Sequence, residues 1–458
     1  GGYNGDGTIF RFNPADLTVN TATGTSTITG LQRIMDYDYN ITGSSPESYP
    51  LFFSNDGFVY SLTPEGGLND YGVLGKFKLA DIDYNATFTG FTTIPGFTVI
   101  KTFDSKSGGY IYGELLEYQG HFYAIGSDGN GSIMKISKDG SDVTVLRTFY
   151  QNEGSNPIGD LIKHPNGKIY GTTEYGGKNG MGTIFSVTDN GIFNLEFQFT
   201  DYNRHGQYPR GLTLGPNGKF YGVTFYGGNN GWGLIYEYDP SNNNYHKIFD
   251  FIGNAGAYPI TSVITIPGNN LLFTTHQAGN NYGVIGVVSI PGVGQSTTGI
   301  SFASSFTNND VYYIYGKPQY DPNTNAVYYM GYYGGTNGVG GIGVLTISGS
   351  TYGKSTIFSF NYSNHGAYSS NQLFVKNQIL FGLTNSGSPS GAGSLFKYNL
   401  STSSFNLIKA LDYDSIGCYP DLAALTEGPD GWIYGSTNSG GNNNRGSIFK
   451  FNPTPTTT

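Results

Sequence analysis

The strongest constraint in this chain of 458 residues is its self-similarity. Residues 168–187 read KIYGTTEYGGKNGMGTIFSV, residues 219–238 read KFYGVTFYGGNNGWGLIYEY, and residues 432–451 read WIYGSTNSGGNNNRGSIFKF. In each copy two runs of β-formers flank a loop dominated by glycine. The runs are too short for helices and read as strands. Weaker copies fill most of the remaining chain at a spacing of roughly fifty to sixty-five residues, the signature of an array of supersecondary units.

The unit can be built residue by residue. Ahead of the first run stand Asp56-Gly57, Asn166-Gly167, Asn217-Gly218 or Asp430-Gly431. Such dipeptides suit two-residue hairpins in which both central residues have positive φ, so another strand lies upstream. A fourth strand follows the second run, as in FNLEFQF at residues 193–199. Four antiparallel strands, a to d, therefore make one unit. Strand b recurs near Tyr60, Tyr123, Tyr170, Tyr221, Phe273, Tyr328, Phe381 and Tyr434, which gives eight units. The expected fold is all-β, an eight-bladed β-propeller of four-stranded antiparallel blades. Residues 1–453 are expected to form a single propeller closed through both termini, with 454–458 a Pro/Thr-rich tail or linker.

Two glycine patterns need a reason. Gly171, Gly222, Gly382 and Gly435 sit inside strand b, where other copies have Ser61, Ala124 or Thr274 and only Tyr329 is large. Glycine weakens a strand unless another backbone comes close, so these positions predict tight packing between blades, with simple bulges as the alternative. The diglycines Gly66-Gly67, Gly176-Gly177, Gly227-Gly228, Gly334-Gly335 and Gly440-Gly441 predict positive φ in a wide turn. A phosphate cradle would need a following helix and a Gly-Lys-Ser/Thr; the sequence has neither.

Composition narrows the class. With 71 Gly, 38 Tyr and 31 Phe but only 12% charged residues, the chain fits an all-β repeat protein. A net charge of −9 argues against nucleic acid as a partner. No run of 18 apolar residues is present, so no transmembrane segment is expected. No signal peptide is visible, and a start at Gly1 without Met suggests a processed or trimmed product. Cys418 is the only cysteine, which excludes an intrachain disulfide or thiolate cluster and predicts a small buried hydrophobe. Sequons at Asn40, Asn85, Asn130, Asn361 and Asn399 fall in loops or at strand ends. With the low charge, they favour an extracellular or cell-surface glycoprotein. A eukaryotic source predicts glycans on at least two of the five; a bacterial source would leave them unused.

On these residues, the repeat YGTT-x-x-GG-x-x-x-x-GTIF resembles the GloVer tandem repeat of secreted bacterial choice-of-anchor proteins. The pattern of an aromatic strand, a Gly and a Pro in FQFTDYNRHGQYPRGL fits the same resemblance. The layout is also similar to Kelch blades, with a diglycine after the second strand and a third strand ending at Tyr238-Asp239-Pro240. The resemblance covers nearly the whole chain and implies a propeller. Its families include adhesion and interaction modules as well as enzymes, and no active-site residue carries over.

The b–c and d–a loops of a four-stranded blade share one face. Here that face is expected to carry Tyr175, Tyr226, Trp232, Tyr282, Tyr332 and Tyr333, with Asn179, Asn229, Asn230, Asn280, Asn337 and Asn442. Aromatic rings beside amides suit sugar binding, by stacking on pyranose faces plus hydrogen bonds. The structural alternative has the tyrosines packing between blades and the asparagines shaping turns. His205 and His365 occupy equivalent d–a positions and offer a pair of metal ligands, although equivalent positions two or three blades apart are usually too distant to share an ion, while His121, His164, His246 and His276 are scattered. Asp36-Tyr37-Asp38, Asp81-Ile82-Asp83 and Asp412-Tyr413-Asp414 offer calcium-type oxygens, with solvated turn carboxylates as the plainer reading. Glu65, Glu153 and Glu174 could act as paired acids. Cys418-Tyr419 raises a Kelch-type copper oxidase, yet no histidine pair stands nearby. Neither Ser-His-Asp nor Cys-His has a supporting signature. No catalytic residue, metal or cofactor is assigned.

The functional expectation is an exported, non-enzymatic surface or extracellular-matrix protein. It would be structural or adhesive and present a carbohydrate- or protein-binding face to glycans or neighbouring surface proteins. The alternative is a secreted carbohydrate-active enzyme, a polysaccharide lyase or hydrolase, with its site at the central channel. One further expectation concerns closure. Residues 8–12 and 447–451 are two copies of strand c. Strands a and b within residues 421–437 should join strand d at 31–37 in one composite blade. The C-terminal copy should take the c position, leaving the N-terminal copy displaced or available for self-assembly by strand addition.

Overall fold

The computed structural model describes residues 8–11, 17–20, 25–28, 32–44, 51–81, 96–253, 256–277, 282–290, 300–413, 417–420, 424–437, 439–440 and 447–451. Across them the chain is almost entirely β, and its main sheets are the eight blades of a β-propeller, antiparallel except for one pairing in the last. Blades 1 to 7 occupy residues 52–102, 111–148, 155–198, 207–250, 264–305, 319–359 and 374–410 in chain order. Blade 8 is assembled from both ends of the chain. The chain divides into two compact units. One holds residues 105–314 and 346–354, with blades 2 to 5; the other holds 1–104, 315–345 and 355–458.

Blade 3 shows how the repeat folds. Strand a is Ser155–Lys163, b is Ile169–Tyr175, c is Thr183–Val187 and d is Phe193–Gln198. Strand c is buried throughout and strand b nearly so, which explains their continuous apolar and small residues instead of strict alternation. Strand d is only half-buried. The core lies between successive blades. Tyr123, Ile125 and Phe149 of blade 2 meet Ile169, Phe185 and Val187 of blade 3, and Tyr170 and Ile184 meet Phe220, Leu234 and Tyr236 of blade 4. Where strands c and d pair, a bulge recurs, between Ile184 and Phe185, Ile235 and Tyr236, Val287 and Val288, and Leu395 and Phe396. Such bulges sharpen local twist.

The strand-b glycines serve a different neighbour from the one expected. Gly171 pairs directly with Phe185 of its own strand c, and a Cβ on Gly171 would lie 2.4 Å from that ring. Gly222 lies under Tyr236, Gly382 under Phe396 and Gly435 under Phe449 in the same way. The glycine makes room for a cross-strand aromatic ring, not for another blade's backbone. Blade 5 inverts the pair, with Phe273 on strand b over Gly286 on strand c. Phe273, not Thr274, is therefore the counterpart of Gly171. In blade 6 Tyr329 covers Gly343, which accounts for the one large residue at this position. The close approach of neighbouring backbones does occur, but in strand a. A Cβ on Gly159 would sit 2.9 Å from Cα of Gly211 in the next blade.

The a–b turns also differ from expectation. Only the glycine has positive φ: 86° at Gly167 and 77° at Gly218. Gly167 donates to the His164 carbonyl at 3.0 Å and His164 donates to Lys168 at 2.9 Å, a three-residue loop closed by an αL glycine. The Asx side chain is held elsewhere. Asn166 accepts from the Lys168 N–H at 3.1 Å and donates to Tyr170 Oη at 2.8 Å. Asp56 and Asp430 accept from Tyr60 and Tyr434 at 2.7 and 2.8 Å. These bonds satisfy the side chain without an αL backbone.

Blade 8 has five strands, in the order Thr426–Glu427, Ile433–Thr437, Ser447–Phe451, Thr8–Arg11 and Gln32–Asp36. The C-terminal copy of strand c pairs antiparallel with strand b, as expected. The N-terminal copy is not displaced. It inserts between the C-terminal copy and strand d, parallel to the former and antiparallel to the latter. Thr8 faces Ser447, Ile9 faces Ile448 and Phe10 faces Phe449. The insertion occupies the edge that each neighbouring strand would otherwise leave open. Residues 454–458 lie outside the described residues.

Candidate functional site

The b–c and d–a loops touch one another, and backbone atoms make the contact. The second residue of the diglycine turn donates to the preceding d–a connection: Gly67 to Tyr39 at 2.6 Å, Gly177 to Gln151 at 2.9 Å, Gly228 to Tyr202 at 2.8 Å, and Ser388, which replaces a glycine, to Tyr362 at 2.6 Å. Gly176 and Gly177 have φ of 78° and 75°, and Gly227 and Gly228 have 88° and 79°, as the sequence implied.

A second backbone bond runs the other way. At five of the d–a junctions a non-glycine residue has positive φ: Asn156 at 52°, Tyr208 at 61°, Tyr258 at 56°, Tyr368 at 55° and Tyr419 at 49°. Its N–H donates to the b–c loop of the preceding blade: Asn156 to Asn130 at 2.9 Å, Tyr208 to Met181 and Tyr258 to Trp232 at 3.0 Å, and Tyr368 to Val339 and Tyr419 to Ala392 at 3.1 Å. An αL conformation costs a side-chain-bearing residue roughly 1–2 kcal/mol, so these residues are held by their surroundings. Sequence reasoning missed these tyrosines. The available signal was the recurring Gly-x-Tyr of GQYP, GAYP, GAYS and GCYP.

These missed tyrosines join the expected ones into aromatic series. In the 105–314 unit, Tyr208 lies 4.8 Å from Tyr175 and 5.8 Å from Tyr226, Tyr226 lies 5.4 Å from Tyr258, and Tyr258 stacks on Trp232 at 6.0 Å and 5°. Further along the same unit Tyr282 packs on Tyr312 at 4.7 Å. In the other unit Tyr368 lies 5.4 Å from Tyr332 and 5.6 Å from Tyr333. Tyr175, Tyr226 and Tyr333 keep 39%, 36% and 38% of their surface exposed, whereas Trp232 and Tyr332 are half-buried.

The asparagines do something else. Asn179 donates to the Thr200 carbonyl at 2.6 Å, Asn230 to Phe251 at 3.0 Å and Asn337 to Phe360 at 2.8 Å. Asn229 donates to Asp250 at 2.9 Å. Each amide ties its b–c loop to the end of strand d in the same blade. Asn280 and Asn442 lie outside the described residues, as does the sequon residue Asn85. Of the other sequon asparagines, Asn40 is exposed and Asn130 half-buried. Asn361 and Asn399 use Oδ1 to cap turns, accepting from Ser363 and Asn364 and from Ser401 and Thr402.

The groups weighed for chemistry are built into turns and interfaces. His205 and His365 accept the N–H of Thr200 and Asn361 through Nδ1. Their rings pack on Phe197 and Tyr245 and on Phe358 and Phe405, and burial lowers both pKa values. Asp38 caps a turn by accepting from Asn40 and Ile41. Among the described residues no cluster of three His, Cys, Asp or Glu side chains stands ready for a metal ion. Glu153 pairs with Arg147, and Glu174 with Arg210 at 2.8 Å. Cys418 is buried and occupies the place of Ala257 and Ala367 in the equivalent bridges; burial pushes its thiol up to about 12.

Fold and loop face together define a β-propeller repeat protein whose candidate site is an aromatic loop face. Residues 84–288 and 286–458 match the model of the Gloeobacter/Verrucomicrobia repeat, and the chain belongs to that family. No curated protein matches it. Solved structures similar to the chain include Saccharomyces cerevisiae Sqt1, at 12% identity over 90% of this chain and 96% of that one, TM-score 0.55. The computationally designed Ika8 protein matches at 12% identity over 90% and 98%, TM-score 0.52. Oligogalacturonate lyase from Vibrio parahaemolyticus matches at 10% over 72% and 86%, TM-score 0.44. The likeness to Sqt1 and to Ika8 shows the fold alone.

Proposed function

We propose that this is an exported, non-enzymatic surface or extracellular-matrix protein whose b–c/d–a loop face binds glycans. One observation carries the reading: the exposed tyrosines of this face stand in contact series whose backbones are clamped by neighbouring loops. Rings fixed in advance stack on pyranose faces with little ordering cost. The asparagines are not the sugar ligands in this proposal, because their amides already close the loops. Calcium has no part in it.

A glycan array followed by fluorescence titration tests the reading, because Trp232 stacks on Tyr258 within the series. Binding that weakens by about five- to tenfold in Tyr226→Ala, roughly one lost stacking contact, is expected. A face that binds no sugar on the array removes the proposal.

A further inference from the structure

One seam between blades carries an ion pair at positions that are apolar in the next repeat. Glu174 is the penultimate residue of strand b of blade 3, and Arg210 lies at the entry to blade 4. Arg210 Nη2 meets Glu174 Oε1 at 2.8 Å, with the two side chains 20% and 8% exposed. Asn156 Nδ2 donates to Glu174 Oε2 at 2.6 Å. The guanidinium lies 4.9 Å from the centre of the Phe225 ring, and its Nε is buried without an acceptor. At the next seam of the same unit, the position before Tyr-Gly-Gly is Phe225 instead of Glu174, and the position after Tyr-Pro is Ile260 instead of Arg210. Those two positions are therefore apolar in the next repeat. Sequestering two charges carries a desolvation penalty that such a pair avoids. An orphaned donor beside the pair adds a further cost.

Resting on the reading of this face as glycan-binding, we propose that Asn156, Glu174 and Arg210 form the polar floor of a sugar subsite whose wall is Tyr175. The ligand class is a neutral hexopyranose with vicinal hydroxyls. One hydroxyl oxygen accepts from the guanidinium of Arg210, whose side chain keeps 20% of its surface exposed, the neighbouring hydroxyl donates to Glu174, and the ring stacks on Tyr175. The set already sums to zero charge, so a sugar carboxylate would face the Glu174 anion. Tyr175 is placed for this role, 39% exposed and held edge-on by Tyr208 at 4.8 Å. Asn156 is exposed at the rim of the floor.

The test copies the neighbouring seam into this one. Glu174→Phe with Arg210→Ile should fold with an unchanged or higher Tm, and its affinity for neutral oligosaccharides in calorimetric titration should fall at least about tenfold. Arg210→Lys keeps the charge but lacks the planar, multi-donor guanidinium, and should lose affinity with Tm nearly constant. Wild-type protein that binds neutral sugars no better than either variant does overturns the subsite and leaves the glycan-binding face standing. Wild-type protein that binds only uronate oligomers overturns the neutral class. Wild-type protein that binds no sugar at all removes the subsite and the binding face together. If the double variant fails to fold, the Arg210→Lys titration alone decides.

Discussion

Blades 3 and 5 solve one packing problem in opposite ways. In blade 3 strand b supplies Gly171 and strand c supplies Phe185; in blade 5 strand b supplies Phe273 and strand c supplies Gly286. Both rings reach the same kind of place. Phe185 and Phe149 pack edge to face at 5.0 Å, and Phe273 and Phe251 do so at 5.3 Å. The constraint therefore acts on the pair. In blades 3 to 8 one member of the pair is an aromatic ring and the other has no Cβ, and which strand supplies the ring varies. The glycine's intrinsic cost to the strand is offset by burial of a whole ring.

Removing the ring should do the most damage. Phe185→Ala is expected to cost about 3–5 kcal/mol in denaturant unfolding, and Phe273→Ala a similar amount, because each leaves a cavity against its neighbouring blade. Filling the glycine comes next. Gly171→Val drives a side chain into the Phe185 ring and should cost about 1–3 kcal/mol. The exchange Gly171→Phe with Phe185→Gly should then recover much of what its single substitutions lose; strict additivity in that double-mutant cycle would break the comparison. Tyr236 sharpens it from another side. This fully buried ring over Gly222 carries an Oη without a partner, where Phe185 carries no hydroxyl. Tyr236→Phe should raise stability by about 1 kcal/mol.

The smallest effect concerns pH. Burial lowers the pKa of His205 between blades 3 and 4 and of His276 in blade 5. The unfolded chain then binds protons more readily than the folded one. Stability is expected to be highest above the ordinary histidine range and to fall as pH drops through about 6.5. Thermal midpoints at about pH 7.5 and 5.5 measure the slope, which should shrink in His205→Gln. A slope of the opposite sign would mean that another group dominates.

The repeat was legible because its strands carry both composition and spacing. Eight copies from Tyr60 to Tyr434 predicted eight blades, and eight are present. The meaning of Gly171 was not legible, because its partner Phe185 is set by cross-strand register and a single strand does not display register. The same blindness shifted blade 5 by one residue, to Thr274. The Asn-Gly turns were misread because a dipeptide does not reveal whether its Asx side chain has a better partner four residues on, as Asn166 has in Tyr170. On the loop face the exposed tyrosines were visible from composition and loop position. Tyr208, Tyr258 and Tyr368 were not, since positive φ is ordinarily announced by glycine and here falls on an aromatic residue. The charged pair Glu174 and Arg210 joins two repeats, so comparison of each repeat with the next hides it.

The paired bonds between d–a connections and b–c loops have a consequence for how such a protein can change. Peptide N–H and C=O groups make them, and every residue but proline supplies both. Replacing the side chain at Tyr175, Tyr226 or Tyr333 leaves the stitching between blades intact. Change at those three sites is thus uncoupled from the hydrogen bonds of the scaffold, and a lineage carrying this repeat can vary the exposed side chains of the loop face while its blades stay joined.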